Sequence, residues 1–403
     1  MNKTLLKDLI EKPITGEWGL EGNRIKVLRS TNFSNKGVID LKNLVFRDIP
    51  EHKIVSKKLK KGDIIIEKSG GGPNQPVGRV VYFDLDEEFI CNNFTSILRP
   101  RITRVFPKYL HYFLFASHKF GLTQSFQNKT IGIINLQLSR YVDNLKIPLP
   151  PLETQKRIAQ ILDEAAALRD KTKQLLTEYD LLAQSIFFEM FGDPLANPKK
   201  WKVSKLKELS TKIGSGNTPK GGSKVYVGKG ISFFRSQNVW KNNLIMDDIA
   251  FIDQETHEGM KKSSLKHGDI LMTKTGRINT ENSSLGRAAM YLGEDDKANL
   301  NGHVYLIRLK KDVQNEYILF ILTTNQYREH IRRVCVGGID KRQLNKNHLE
   351  EFPIIYPPMK LQKEFTEKLK LINQQKELAK QELKESKDLF NCLLQKAFKG
   401  ELV

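Results

Sequence analysis

Apolar positions along the chain fall into two kinds of pattern, short dense runs and two long stripes. Residues 152 to 191, LETQKRIAQILDEAAALRDKTKQLLTEYDLLAQSIFFEMF, contain neither Gly nor Pro. Ile158, Ile161, Ala165, Leu168, Leu175, Tyr179, Leu182 and Ile186 follow three/four alternation there, with Thr172 as one polar interruption. That spacing predicts a long helix with a coiled-coil seam. Gly192, Asp193 and Pro194 stop it, because Gly suits a left-handed cap and Pro cannot continue a helix. A second stripe runs from Leu361 to Phe398 through Phe365, Leu369, Ile372, Ala379, Leu383, Phe390, Leu393 and Ala397, broken by Lys376 and Ser386. At about 1.5 Å per residue such helices extend roughly 54 to 60 Å, beyond an ordinary globular helix, and they need partners along their length. Packing the two antiparallel satisfies both; the alternative is a pair that only braces one domain.

Outside the stripes the runs are short and mixed. KKGDIIIEKSGG and KHGDILMTKTG each place an apolar strand after a Gly-Asp turn and before a Gly-rich loop. GRVVYF, GRAAMYL, TSILRP and HVYLIRLK read as further strands, whereas PKYLHYFLFASHKF and NEYILFILTTNQYREHI are amphipathic and read as helices. LKIPLPPLETQ and FPIIYPPMKLQ bring a Pro pair to the start of each stripe, where Pro is well placed.

The same order of elements occurs twice. Arg29, Ser30 and Asn32 return as Arg235, Ser236 and Asn238, Gly62 and Asp63 as Gly268 and Asp269, and Gln137 and Leu138 as Gln343 and Leu344, each 206 residues later. Gly78 and Arg79 return as Gly286 and Arg287, Tyr109 as Tyr317, Pro150 and Pro151 as Pro357 and Pro358, and Gln155 as Gln362. A solenoid repeats every 20 to 50 residues or so, which makes this a tandem of two large related modules instead.

Length and charge sharpen that picture. A chain of 403 residues exceeds one ordinary core. Of the net +20, residues 1 to 151 hold 24 Lys/Arg against 14 Asp/Glu and residues 196 to 358 hold 27 against 17, so each block carries +10. Matching positive blocks fit two surfaces facing a polyanion such as DNA, although Lys-rich surfaces also occur without one. Cys91, Cys335 and Cys392 are far apart and form no CxxC or Cys/His pattern, which argues against a disulfide framework or structural zinc and favours a reducing cytoplasm. No apolar run approaches the length of a membrane span, so a soluble chain that is not exported is expected.

Catalytic patterns are poorly matched. Gly216, Gly221 and Ser223 approximate a phosphate loop, but Gly222 stands where its Lys is required. Tyr356, Pro357, Pro358 and Met359 fail both ends of the loop that holds a flipped adenine for methylation, and no Gly-rich strand suits S-adenosylmethionine. Asp63, Glu67 and Lys68 resemble a metal-dependent nuclease cluster, yet the acid and Lys are adjacent, and the second copy has Asp269, Thr273 and Lys274. A structural role at the strand edge is the expectation. Eight scattered histidines show no ligand spacing.

The loops offer recognition chemistry instead. SGGGPNQ at 69 to 75 and TGRINTEN at 275 to 282 occupy matching positions and differ in content. Asn and Gln pair bidentately with adenine and Arg with guanine, so Asn74, Gln75, Arg277, Asn279 and Asn282 are candidate base contacts. Lys68, Arg79, Lys274 and Arg287 recur in both copies and suit phosphate contacts. Ser69, Asn217, Lys220 and Thr275 complete the candidate DNA-binding set; a solvated loop is the plain alternative for any one of them.

Taken together, the chain resembles specificity subunits of type I restriction-modification enzymes along essentially its whole length. KIGSGNTPK at 212 to 220, GDIIIEKSGGGPNQPVGR at 62 to 79, GDILMTKTG at 268 to 276, IPLPPLETQKRIAQILD at 147 to 163 and LLQKAFKGEL at 393 to 402 carry the match. Two features depart from the family: Met359, Lys360 and Leu361 replace its usual Leu and acidic residue before Gln362, and the first copy lacks a Gly-Ser-Gly-Thr-Pro-like segment. The resemblance implies an α+β fold of two mixed target-recognition domains, 1–150 and 195–357, alternating with helical regions 151–194 and 358–403 that form an antiparallel coiled coil with pseudo-twofold symmetry. It further implies a non-catalytic subunit that binds an asymmetric bipartite duplex and docks two methylase subunits on its helices. Restriction/translocase subunits would join them, and the partners would use S-adenosylmethionine, ATP and Mg2+ to methylate adenine and to cleave unmodified DNA. A cryptic nuclease and an orphan recognition subunit are the competing readings.

Overall fold

The computed structural model describes residues 3–72, 75–130 (129 and 130 by backbone alone), 133–278, 280, 282–338 and 341–402. The chain divides into two compact units, Met1–Gln174 with Ala379–Val403, and Leu175–Leu378.

In the first unit a four-stranded antiparallel sheet runs in the order Ile14–Thr15, Thr95–Leu98, Ile64–Glu67, Val80–Tyr82. Ile64, Ile65 and Ile66 are consecutive apolar residues because both faces of their strand are covered. Ile64 and Ile66 join the core of Tyr109, Leu110 and Ile158, while Ile65 joins Leu28, Phe83 and Phe89. A second sheet, Val45–Asp48, Leu20–Leu28, Phe89–Cys91, contains one parallel pairing. The helix Pro107–Lys119 starts with Pro in its first turn and is buried along most of its length. Its Phe113 meets Phe398 at 5.0 Å between ring centroids, and both long helices contribute to the same core through Leu162, Ala165 and Leu394.

The second unit repeats this plan. Its sheet order is Ser210–Ser215, Val304–Leu309, Ile270–Thr273, Ala288–Met290, with Ala250–Ile252, Ile231–Phe234, Ala298–Leu300 as the second layer. Ile270 and Met272 point into one core and Leu271 into another. Phe187, Tyr317, Phe320 and Phe365 form an aromatic cluster in which Phe187 lies 5.1 Å from Phe320 and 5.3 Å from Phe365.

The long helices span Leu152–Phe191 and Met359–Lys399. Within the second unit Phe187 meets Phe365 while Asp180 bonds Lys376, so the two helical segments there run in opposite directions. Two of the three polar interruptions are satisfied inside their own helices, Thr172 donating to the Leu168 carbonyl at 3.0 Å and Ser386 to that of Leu383 at 3.1 Å, whereas Lys376 pairs across with Asp180.

Three readings of the sequence need correction. NEYILFILTTNQYREHI forms two helices, Asn315–Thr323 and Asn325–Val334, because the Thr324 hydroxyl caps the second by accepting from the Tyr327 amide at 3.3 Å. The Gly-rich loops open as strands: Ser69–Gly71 pairs with Ile133–Leu136, and Thr275–Gly276 with Arg342–Gln343, each completing a three-stranded sheet. Finally, the match of Gln137-Leu138 to Gln343-Leu344 is fortuitous. The Leu136 amide bonds Lys68 O as the Leu344 amide bonds Lys274 O, both at 2.8 Å, which makes Leu136 the true counterpart of Leu344.

Candidate nucleic-acid interface

The frame of the site is set by two equivalent buried ion pairs. Asp63 accepts from Arg99 Nε and Nη2, each at 2.8 Å, and from the Lys60 amide at 2.8 Å. Asp269 accepts from Arg308 at 2.8 and 2.7 Å and from the Lys266 amide at 2.7 Å. Hydrogen bonds donated to these carboxylates raise the pKa of Arg99 and Arg308 above the ordinary arginine value. Each pair locks a Gly-Asp turn to the neighbouring strand, the structural role expected for Asp63. Glu67 is likewise engaged, taking Arg79 Nε and Nη2 at 2.9 Å each.

At the opposite end of these strands lie the predicted recognition residues. Lys68 donates to Thr15 Oγ1 at 3.1 Å, and Lys274 donates to Ser215 Oγ. Thr15 and Ser215 are equivalent, because Gly16 N bonds Thr95 O as Gly216 N bonds Val304 O. A Cβ on Gly16 would lie 2.2 Å from the Cys91 and Asn92 carbonyl oxygens, and one on Gly216 the same distance from Leu300 O. The first unit therefore does contain the glycine of the Gly-Ser-Gly segment; only the loop beyond it diverges, Glu17-Trp18 against Asn217-Thr218-Pro219. Ser69 donates to Asn135, Thr275 pairs with Gln343, and Asn217 and Lys220 are exposed on their own loop.

Arg79 and Arg287, equivalent in sequence, occupy different surroundings. Besides Glu67, Arg79 donates to the Phe33 and Ser30 carbonyls at 3.1 Å, and Gln75, with its amide turned to match, accepts from Arg79 Nη1 at 3.0 Å. Arg287 lies over the Trp240 ring at 3.8 Å and bonds the Ser283 and Asn282 carbonyls. Thr275, Arg277 and Asn282 come together in one cleft of about 580 Å³, joined there by Ser283, Ser284 and Lys341. Asn217 and Lys220 are not among the residues lining it. Asn74 and Asn279 lie outside the described residues. Lys341 was missed from sequence because it reaches the cleft through a hairpin some 66 residues away from Thr275 in the chain.

One β-frame built twice, with polar and cationic residues at the same strand ends and different loops beyond them, defines a tandem recognition protein. The chain belongs to the type I restriction modification DNA specificity domain family, whose model matches residues 21–178 and again 198–387. It is a specificity subunit, the component that recognises DNA sequence in a type I restriction-modification system. It is 24% identical to the StySPI specificity subunit of Salmonella potsdam over 400 residues, covering 95% of this chain and 83% of that protein. Identity to the Escherichia coli EcoKI specificity subunit is also 24%, over 410 residues with the same coverage. The crystal structure of the S subunit from M. genitalium superposes with a TM-score of 0.56 at 16% identity, covering 98% of this chain and 96% of that one. A chain from a structure describing assembly and conformational transition of the type I system gives 0.60 at 17% identity, covering 100% and 98%. These likenesses establish the fold: two target-recognition domains with mixed helix and sheet.

Proposed function

We propose that each unit reads one half of an asymmetric, split duplex-DNA target, and that the long helices fix the gap between halves while presenting docking faces to two methylase subunits. The observation that carries this reading is the duplicated frame with unlike loops: a shared scaffold positions two readers, and SGGGPNQ and TGRINTEN give them different donor and acceptor sets. The cleft of Thr275, Arg277, Asn282 and Lys341 is the reader of the second half. The chain acts without catalysis of its own. In support, the carboxylates Asp63, Glu67 and Asp269 are each consumed by an arginine. S-adenosylmethionine, ATP and Mg2+ then serve the methylase and restriction/translocase partners, which methylate adenine and cleave unmodified DNA in the cytoplasm. Among the described residues no helix is long and apolar enough to cross a membrane.

Methylome sequencing of the host with and without this gene tests the proposal. Deletion is expected to abolish modification at one split, asymmetric adenine-containing motif; an unchanged methylome from an active locus refutes it. Plasmid cleavage by the purified chain with Mg2+ alone, abolished by Asp63→Ala, would refute the non-catalytic part.

A further inference from the structure

The two copies differ at one position that decides what their recurring arginine can do. In the first unit the Glu67 amide donates to Arg79 O at 2.9 Å, and the Glu67 carboxylate neutralises the same arginine. The backbone pairing is preserved in the second unit, where the Thr273 amide donates to Arg287 O at 2.9 Å and Gly286 N to Thr273 O at 3.1 Å. Threonine, however, supplies no negative charge. Arg287 is left with carbonyl partners and the Trp240 face, and it has no acidic partner among the described residues.

Two further cations lie nearby, and the charge of one, Arg328, acts on both Arg287 and the other, Lys241. Lys241 follows Trp240, and the next amide, Asn242 N, bonds Ala288 O at 2.9 Å, which holds that turn beside Arg287. Gly286 presses so closely on the helix Asn325–Val334 that a Cβ would lie 2.7 Å from Ile331 Cδ1. Arg328 lies one turn earlier on that helix. Neither Lys241 nor Arg328 forms an ion pair among the described residues. Burial first, and the Arg328 charge second, lower the pKa of both Arg287 and Lys241; burial and Arg332 do the same to Arg328. Asp180 opposes the shift of Lys241 and Glu329 that of Arg328, but each of these acids is already paired, with Lys376 and Arg332. Three cations crowded without a paired acid of their own repel one another unless an anion joins them.

We infer that Lys241, Arg287 and Arg328 form a clamp for a DNA backbone phosphate that exists only in the second unit, because Glu67 closes the equivalent position in the first. Salt-dependent affinity is thus divided unequally between the halves. This rests on the reading of the chain as a DNA-recognition subunit.

The test titrates the specificity subunit, assembled with its methylase partner, with a short duplex of arbitrary sequence across a series of KCl concentrations. Each lost phosphate contact flattens the slope of log K against log salt by about 0.9. Arg328→Ala and Thr273→Glu, the second recreating the acid of the first unit, are each expected to flatten the slope by roughly that amount. Lys261→Ala, whose ammonium already pairs with Glu258, leaves it unchanged. Should Thr273→Glu disturb folding, Arg328→Ala on the helix surface still decides. If the parent complex binds the duplex and Arg328→Ala keeps its slope, or if Lys261→Ala flattens it equally, the clamp is overturned while DNA recognition stands. A parent complex that binds no DNA overturns both.

Discussion

Arg308 grips Asp269 through two parallel hydrogen bonds, Nε to Oδ1 at 2.8 Å and Nη2 to Oδ2 at 2.7 Å, with the carboxylate side chain only 1% exposed. Removing the arginine strands a buried charge, which costs far more than the intact pair contributes. Arg308→Ala is expected to destabilise the protein by about 3–5 kcal/mol in denaturant unfolding, and Arg99→Ala by a similar amount through Asp63. Arg308→Lys restores charge without the fork and recovers only part of the loss. A change below about 1 kcal/mol for Arg308→Ala, the size of an exposed pair, would contradict the assignment.

Gly16 and Gly216 mark where equivalent loops leave their strands, and a methyl group at either would collide with backbone carbonyls at 2.2 Å. Backbone cannot step aside as a flexible side chain can. Gly216→Ala is therefore expected to cost at least about 1–3 kcal/mol, the range for overpacking, and to displace the loop that carries Asn217. Gly228→Ala, with nothing within 4 Å, serves as the neutral control. Thermal melts of the two variants read the difference, and equal melting would dismiss the close approach.

His111 makes the first unit sensitive to acid. Burial pushes its pKa down from 6.5 to about 4, and Nδ1 has no partner among the described residues. Asp163 opposes this shift and Lys108 adds to it. Because the folded value is the lower one, the unfolded chain takes up the proton first as pH falls through that window. Stability then declines between about pH 6.5 and 4, by roughly 3 kcal/mol at the lower end. His111→Phe, set among Tyr82, Tyr112 and Phe115, removes that component and should flatten the stability profile over this range. A parallel profile for parent and variant would assign the acid sensitivity elsewhere.

The parts of this fold that were legible in the sequence are those whose signal is local. The first long helix ends where Gly192 and Pro194 require, and the Gly-Asp turns precede the strands they were expected to precede. What was hidden depends on partners distant in the chain. Ser69–Gly71 looks like a loop until Ile133–Leu136 pairs with it, and three residues of Ser and Gly carry no apolar pattern to announce a strand. Arg79 and Arg287 look alike, yet Glu67 against Thr273 sends one inward and leaves the other open. Lys341 has no motif at all; only the hairpin Val336–Gly337 with Arg342–Gln343 brings it to the cleft.

That cleft sets the last prediction. Thr275 and Gly276 are fixed by pairing with Gln343 and Arg342, so the frame survives changes farther along the loop. Arg277 and Asn282 stand on the cleft wall as exposed polar side chains, the arrangement from which a bidentate base contact discriminates by about 1–3 kcal/mol. Arg277→Ala and Asn282→Ala should relax or change recognition at positions in one half of the modified motif, while the other half and assembly with the methylase stay intact. Lys341→Ala tests the hairpin's share of the same half-site. Single-molecule methylome sequencing of hosts carrying each variant reads both halves at once. Altered bases in both halves, or in neither despite normal modification levels, would remove this cleft as the reader of one half.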